Sequence, residues 1–253
     1  MKRIISILTS IVLLVVSLAT KAVELQVVTE DLAPFNYVSN GKVVGSNTLL
    51  IKHLLKSLNI KYTIKAYPWA RSYQIALTQP NVLIYTINKT PHRERKFQWL
   101  GRFPLTTDIS FFRLAKPLLV NTNFNDLKNL RIGTQINTAN EQFLIQHNYK
   151  KISRVSHLRQ TVGMLALGRI DVIIGSKAQI ESELLAGGLP IDTVTHIKHA
   201  FLSAPSFALS KQSSPALAAK IREAYLQIST QDICHIMKLP PHQCIKPNSD
   251  ALR

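Results

Sequence analysis

The chain has 253 residues, of which 46% are hydrophobic, and a formal net charge of +17 at pH 7. This hydrophobic content supports a sizeable core, and the length permits one large domain or two smaller lobes. The Lys and Arg residues are scattered, without a basic tract or an alternation of aromatic and basic residues, which argues against a nucleic-acid partner. Solubility and weak attraction to anionic surfaces account for the excess charge.

The amino terminus has the pattern of a cleaved secretory signal peptide, 1–22. Lys2 and Arg3 precede an apolar run, and small residues follow it, so cleavage after Ala22 or Ala19 is expected. The run is shorter than the roughly 20 apolar residues that a membrane helix requires, and no Cys lies near the cleavage point. We therefore expect a soluble mature chain in the periplasm.

The first half of the mature chain alternates strand and helix patterns, which is typical of a parallel α/β lobe. In such a sheet, ligands bind beyond the carboxyl ends of the strands. The loops 30–35, 67–71 and 86–93 leave those ends and are expected to meet at one cleft. The predicted elements are strand 24–29, helix 48–58, strand 61–66, a helix from Trp69 to about residue 77, and strand 82–87.

A Thr-Pro pair follows the last of these strands. It predicts a helix start, with Thr90 as the N-cap and Pro91 at the first helical position. Arg93, in the first turn, would combine a charged guanidinium with free backbone N–H groups, which makes a carboxylate or phosphate site. The alternative interpretation is that Arg93, Arg95 and Lys96 form a solvated basic face.

A second α/β series follows and predicts a second lobe facing the first. Its predicted elements are strand 131–134, a helix from 139 to about 146, helix 158–167, strand 171–174 and helix 178–185, before a final strand 206–209 and helix 215–228.

The two cysteines, Cys234 and Cys244, lie near the carboxyl terminus and predict one disulfide in an oxidising compartment. A zinc site with the adjacent His235 and His242 is the alternative, although this spacing matches none of the usual zinc pairs. His196 and His199 read as surface residues rather than metal ligands. We expect no cofactor and no metal.

Four segments in order make the mature chain resemble the bacterial extracellular solute-binding proteins of family 3, the type II periplasmic binding proteins best known for polar amino acids. The resemblance covers nearly all of residues 23–238. The segments are 31–35 (DLAPF) with 41–45 (GKVVG), 90–93 (TPHR), 127–135 (LKNLRIGTQ) and 165–171 (LALGRID). PWAR at 68–71 and FQW at 97–99 look like those of a divergent branch.

The resemblance implies an α/β fold of two lobes, each with a mixed, mostly parallel sheet flanked by helices. Two crossover strands would join the lobes, which would close on a ligand by a hinge motion. The first lobe would comprise 23–104 and 205–253, and the second lobe 105–204.

The resemblance also implies which residues contact the ligand. Arg93 falls on the Arg that binds the ligand carboxylate, with Thr90 and Asn88 beside it. Thr138 falls on the position in the second lobe that donates to the same carboxylate.

Two departures from the family pattern concern the rest of the ligand. Ser176 aligns with the acidic residue that receives the ligand ammonium, so Glu30, Asp31 or Glu181 would have to replace it. Leu32 stands where the family has an aromatic residue. Trp69 could supply the surface on which the ligand stacks, and Arg71 could also reach the ligand.

The resemblance therefore implies a monomeric carrier of a small carboxylate-bearing solute, an amino acid or a related compound, for an inner-membrane ABC permease. Two alternatives remain open: a sensory binding protein without a transporter, and a periplasmic dehydratase that acts on prephenate-like acids. The chain has no G-x-S-x-G, no H-E-x-x-H, no Gly-rich phosphate loop and no Cys available as a nucleophile, so no catalytic residue is predicted.

Overall fold

The computed structural model describes residues 24–116, 126–240 and 244, and these form two five-stranded sheets, one β-hairpin and seven helices. The predicted signal peptide lies outside the described residues. The strands are β1 Leu25–Thr29, β2 Tyr37–Ser39, β3 Lys42–Val44, β4 Tyr62–Ala66, β5 Val82–Asn88, β6 Phe97–Arg102, β7 Thr107–Leu114, β8 Arg131–Gln135, β9 Lys151–Val155, β10 Val172–Ser176, β11 Val194–Ser203 and β12 Pro205–Ser210. The helices are α1 Ser46–Ser57, α2 Trp69–Thr78, α3 Ala139–Gln146, α4 Leu158–Ala166, α5 Lys177–Ala186, α6 Pro215–Leu226 and α7 Thr230–Ile236.

The first sheet has the order β4-β1-β5-β12-β6. Strand β1 runs parallel to β4 and to β5, as the strand–helix alternation predicts, whereas β12 runs antiparallel to both of its neighbours. Helix α1 packs on one face of this sheet because Leu50, Ile51, Leu54 and Leu55 recur at helical spacing and are fully buried.

The second sheet has the order β11-β7-β10-β8-β9. Strands β8, β9 and β10 are parallel. At one side of them, β7 pairs antiparallel with β10, and β11 pairs antiparallel with β7. Its apolar clusters draw their members from residues 109–201, so this half has a core of its own.

The chain crosses from one sheet to the other twice, between β6 and β7 and between β11 and β12. The first crossing lies between Arg102 and Thr107, and the second lies between Ser203 and Pro205. We call the halves built on the first and second sheets the first and second lobes. Leu105, just past the first predicted boundary, packs into the core of the first lobe.

Several elements differ from the prediction. The helix expected at Pro91 is absent, because residues 91–93 form turns and only a short 3₁₀ helix, Glu94–Lys96, follows. Strands β2, β3, β6, β7, β9 and β11 and helix α7 were not predicted individually. Strand β11 carries no clean apolar alternation, because most of its residues are partly or fully exposed.

Cys234 of α7 forms the predicted disulfide with Cys244. No group of three or more His, Cys, Asp or Glu residues that could hold a metal ion occurs in the described part of the chain; His242 lies outside it. Within the same residues, no helix is long and apolar enough to cross a membrane.

Candidate functional site

The carboxyl ends of β1, β5 and β8 meet in the space between the lobes, where they surround a cavity of about 80 Å³. We call this space the inner cavity. Both lobes and both crossings contribute to it. Its lining residues are Glu30, Leu32, Phe35, Thr86, Asn88, Leu105, Thr107, Ile109, Gln135, Thr138, Ala139, Asn140, Leu158, Gln179, Ser203 and Pro205.

A second space of about 230 Å³ adjoins the inner cavity, and we call it the outer recess. The two share Glu30, Leu32, Gln135 and Leu158 as lining residues. Both volumes lie below the roughly 300–1,000 Å³ of pockets for drug-sized ligands, so the space between the lobes suits a small solute. The remaining residues of the outer recess are Asp31, Val38, Ala66, Tyr67, Pro68, Trp69, His157 and Glu183.

Glu30 directly follows β1 and lies between these two spaces with only 9% of its surface exposed. Burial raises the pKa of its carboxyl to about 7, because the charged form loses hydration. Hydrogen bonding with Gln135 and the charge of Arg93 lower the pKa, and the carboxylates of Asp31 and Glu183 raise it. Glu30 therefore changes charge near neutral pH.

Arg93 is 1% exposed and lies at the junction of the lobes rather than on a solvated face. Its guanidinium packs 5.2 Å from the ring centroid of Trp69 and 5.0 Å from that of Tyr73. It donates to the backbone carbonyl of Asn88 at 3.2 Å and, across the lobes, to that of Asn137 at 2.5 Å. Burial lowers the pKa of the guanidinium, and neighbouring Tyr73 and Glu30 act in the opposite direction.

Trp69, the first residue of α2, makes a second contact between the lobes. Its indole Nε1 donates to the carbonyl of Asn137 at 2.6 Å, and its side chain is buried. Two donors of the first lobe therefore converge on one carbonyl of the second, and we call this arrangement the Asn137 clasp. Asn137 has φ 60° and lies between β8 and α3.

Asn88 and Thr138, two of the predicted ligand residues, line the inner cavity. The side-chain oxygen of Asn88 accepts a hydrogen bond from Ser203 at 2.8 Å. Thr138 is the N-cap of α3, since its hydroxyl accepts from the backbone of Glu141 at 3.2 Å.

Thr90, another predicted ligand residue, does not line either space, and its buried hydroxyl has no hydrogen-bond partner among the described residues. Its carbonyl accepts from the backbone N–H groups of Arg93 and Glu94, both at 2.9 Å.

The other three predicted residues occupy different surroundings. Asp31 is exposed, lines the outer recess and accepts from the backbone of Val38 at 3.2 Å. Arg71 is exposed, with its guanidinium 4.5 Å from the ring centroid of Tyr67. Ser176 is buried and caps α5 by accepting from the backbone of Gln179 at 3.3 Å.

Thr86 is a cavity residue that the sequence analysis did not single out. It has φ 61°, which is rare for a β-branched residue, and the pairing of β12 with β5 skips it. Its hydroxyl donates to Asn36 at 2.6 Å and accepts from Asn47 at 3.0 Å. This polar network holds Thr86 in the lining of the inner cavity, and no sequence pattern predicts it.

Comparisons with known proteins show the family and the fold of the chain. The family model described as bacterial extracellular solute-binding proteins, family 3, matches residues 25–236. No curated protein matches the chain.

Three solved structures illustrate the likeness of fold. A histidine kinase sensor domain with similarity to periplasmic binding proteins has a TM-score of 0.75 and 14% identity, covering 88% of this chain and 98% of that one. An ancestral arginine-binding protein bound to arginine has a TM-score of 0.70 and 19% identity, covering 85% and 96%. The substrate-binding protein of an amino acid ABC transporter has a TM-score of 0.70 and 16% identity, covering 85% and 97%.

Proposed function

Since the chain belongs to the bacterial extracellular solute-binding proteins of family 3, we propose that it captures a small carboxylate-bearing solute, an amino acid or a related compound, between its two lobes. Of the residues predicted from the sequence, the proposed contacts are Arg93 as the carboxylate anchor, with Asn88 and Thr138 beside it.

The burial of Arg93 is the observation that carries this proposal. A guanidinium stays protonated in proteins, and a buried charge is costly unless it is paired and hydrogen-bonded. Arg93 donates to the backbone carbonyls of Asn88 and Asn137 and has Tyr73 beside it. Among the described residues it forms no ion pair with a carboxylate, and its buried Nε has no hydrogen-bond partner. Its two acceptors belong to Asn88, which lines the inner cavity, and to Asn137, which precedes the cavity residue Thr138. A ligand carboxylate near these residues would compensate the buried charge.

The position of the inner cavity between the lobes supports a proposal about their closure. Lining residues of the inner cavity come from both lobes, so a solute held there contacts both at once only when the lobes are together. A ligand shifts a conformational equilibrium through its differential affinity for the two states. We therefore propose that the solute stabilises the closed form.

Delivery to an inner-membrane ABC permease from the periplasm is the proposed purpose of capture, in line with the likeness to the substrate-binding protein of an amino acid transporter. Sensing is the second candidate, favoured by the likeness to a histidine kinase sensor domain. Deleting the gene distinguishes them: loss of uptake of the labelled solute supports delivery, and loss of a transcriptional response with normal uptake supports sensing.

A thermal-shift screen with amino acids, dicarboxylates, aromatic acids and short peptides tests the capture itself. A ligand at 100 times its dissociation constant adds about 2.7 kcal/mol to the free energy of unfolding. We expect Arg93→Ala to lose this shift, because the carboxylate loses its charged partner. Arg95→Ala, which removes an exposed charge two residues away, should keep it.

Arg93→Lys serves as a second variant should the alanine variant be unstable without ligand, because it keeps the charge but loses the planar fork. An Arg93→Ala protein that folds and retains the whole shift would disprove the anchor.

A further inference from the structure

The charge of the outer recess is opposite to that of the chain. The sequence has 31 Lys and Arg residues against 14 Asp and Glu, yet each charged residue that lines the recess is acidic: Glu30, Asp31 and Glu183. Glu30 is also nine-tenths buried. A carboxylate that cannot reach bulk water needs a cationic or hydrogen-bonding partner.

Aromatic side chains form part of the same wall. Tyr67 and Trp69 line the recess, and each ring already has a guanidinium over it, Arg71 at 4.5 Å and Arg93 at 5.2 Å from the respective centroid. Both rings therefore already contact a cation of the chain itself. The preference of the recess for a cation over an anion comes from its three carboxylates.

The three carboxylates belong to different lobes. Glu30 and Asp31 follow β1 in the first lobe, and Glu183 lies on α5 in the second. In the closed form, like charges therefore face one another, and the carboxylates of Asp31 and Glu183 disfavour the ionised form of Glu30. A cation between the lobes would convert this repulsion into attraction that exists only when the lobes are closed.

The neighbouring basic groups do not fully neutralise the three carboxylates of the recess. Arg159 donates to Glu183 at 2.8 Å from outside the recess lining. Glu30 has a hydrogen bond with Gln135, and the charge of Arg93 acts on it through space. Asp31 accepts one backbone hydrogen bond. Because Glu30 is buried and Asp31 has no ion pair among the described residues, the recess retains acidic character.

The remaining carboxylate considered from the sequence lies elsewhere. Glu181 is on α5 but lines a separate pocket together with Asp108 and Asp192, and it pairs with Lys177 at 3.7 Å. Ser176 caps α5. Neither can meet a cationic group in the recess.

We propose that the outer recess receives the cationic group of the solute through Glu30, Asp31 and Glu183, so that the ligand is an amino-acid-like carboxylate with a positively charged side chain. This inference rests on the proposed function, because it assumes that the carboxylate end is held at Arg93.

Three ligands of similar shape distinguish the contribution of the carboxylate to binding from that of the cationic group. Arginine carries both the carboxylate and the guanidinium, citrulline replaces the guanidinium with a neutral urea, and agmatine lacks the carboxylate. By calorimetry on the full mature protein, we expect arginine to bind at least about tenfold more tightly than citrulline, since one desolvated ion pair is worth about 1.4 kcal/mol or more.

Glu183→Gln tests the recess directly, because glutamine can still accept a hydrogen bond from Arg159 while it removes the charge. The preference for arginine over citrulline should fall several-fold, with citrulline affinity unchanged. Glu181→Gln is the matched control: it removes the same charge from the same helix outside the recess and should leave the preference intact.

Equal affinity for arginine and citrulline, or a preference that Glu183→Gln and Glu181→Gln reduce alike, would overturn the inference. Failure of both arginine and agmatine to bind would overturn it as well. In these cases the proposed function stands if another carboxylate solute binds in an Arg93-dependent manner. If agmatine binds as tightly as arginine and Arg93→Ala has no effect, the recess still binds a cation, but the proposed capture of a carboxylate is disproved.

Discussion

Arg93 is buried at the junction of the lobes, although the helix predicted around it is absent. The sequence placed it in the first turn of a helix with free N–H groups. The backbone N–H groups of Arg93 and Glu94 are instead both bonded to the carbonyl of Thr90, so they cannot receive an anion. What brings Arg93 to the lobe junction is its packing against Trp69 and Tyr73, which is a tertiary contact that spacing alone does not contain. Its role as an anchor stays a prediction.

The surroundings of Glu30 and Thr86 at the site could not be predicted from the sequence. Glu30 directly follows a buried strand, and the sequence indicates it as a possible substitute for Ser176, but its burial is not evident from the sequence. The positive φ of Thr86 depends on hydrogen bonds to Asn36 and Asn47, whose meeting requires the folded chain.

The raised pKa of Glu30 predicts a pH-dependent stability in the absence of ligand. Its pKa is 4.5 in the unfolded chain and about 7 in the folded one, so between these values the native state binds the proton more tightly. Stability should therefore fall as pH rises from about 5 to 7, by at most roughly 3 kcal/mol, since each pKa unit corresponds to about 1.4 kcal/mol.

Thermal unfolding measured across this pH range tests the effect. Glu30→Gln should flatten the dependence because the amide does not titrate, whereas Glu94→Gln, at an exposed position, should not. Parallel slopes for the wild type and Glu30→Gln would show that other groups dominate.

At the scale of elements, helices were easier to predict than strands. The spacing of apolar residues located all helices from α1 to α6 to within a few residues, because a helix repeats its own pattern locally. Strands β9 and β11 are mostly half-exposed, so they lack the clean alternation that identifies a strand. Their places are set by pairing with β8 and β7.

The loop between β8 and α3 carries the Asn137 clasp, and Trp69→Phe tests its contribution. Phenylalanine keeps an aromatic ring beside Arg93 but removes the Nε1 donor to Asn137. A hydrogen bond contributes about 0.5–1.5 kcal/mol net, so we expect affinity for the solute identified by the screen to weaken roughly 2- to 10-fold, through a less stable closed form.

The chain's other tryptophan provides the control. Trp99 donates to the carbonyl of Glu94 within the first lobe, so Trp99→Phe should leave affinity unchanged. Calorimetry gives the affinities, and small-angle scattering with and without ligand gives the degree of closure. Equal losses in both variants would indicate a general effect on packing rather than on the clasp.

At the scale of the whole molecule, the predicted two-lobed fold of the type II periplasmic binding proteins is confirmed, as is membership of the family. Four short motifs in a fixed order sufficed for this prediction. The exact lobe boundaries stay a prediction.

A fragment of residues 105–204 tests the boundaries. It contains all strands of the second sheet and both of its apolar clusters, so it should unfold cooperatively on its own, as followed by circular dichroism. The fragment 23–104 lacks β12 and should not. An unfolded second-lobe fragment would mean that the lobe depends on its partner for stability.

The position of β12 also constrains the order in which the chain can fold. This strand separates β5 from β6 in the first sheet, yet it follows the whole second lobe in sequence. A polypeptide that emerges amino end first can complete its later half while its earlier half still awaits a central strand. Long-range pairing of this kind is slow and leaves apolar edges open to aggregation. The half that is synthesised first is therefore the last to mature.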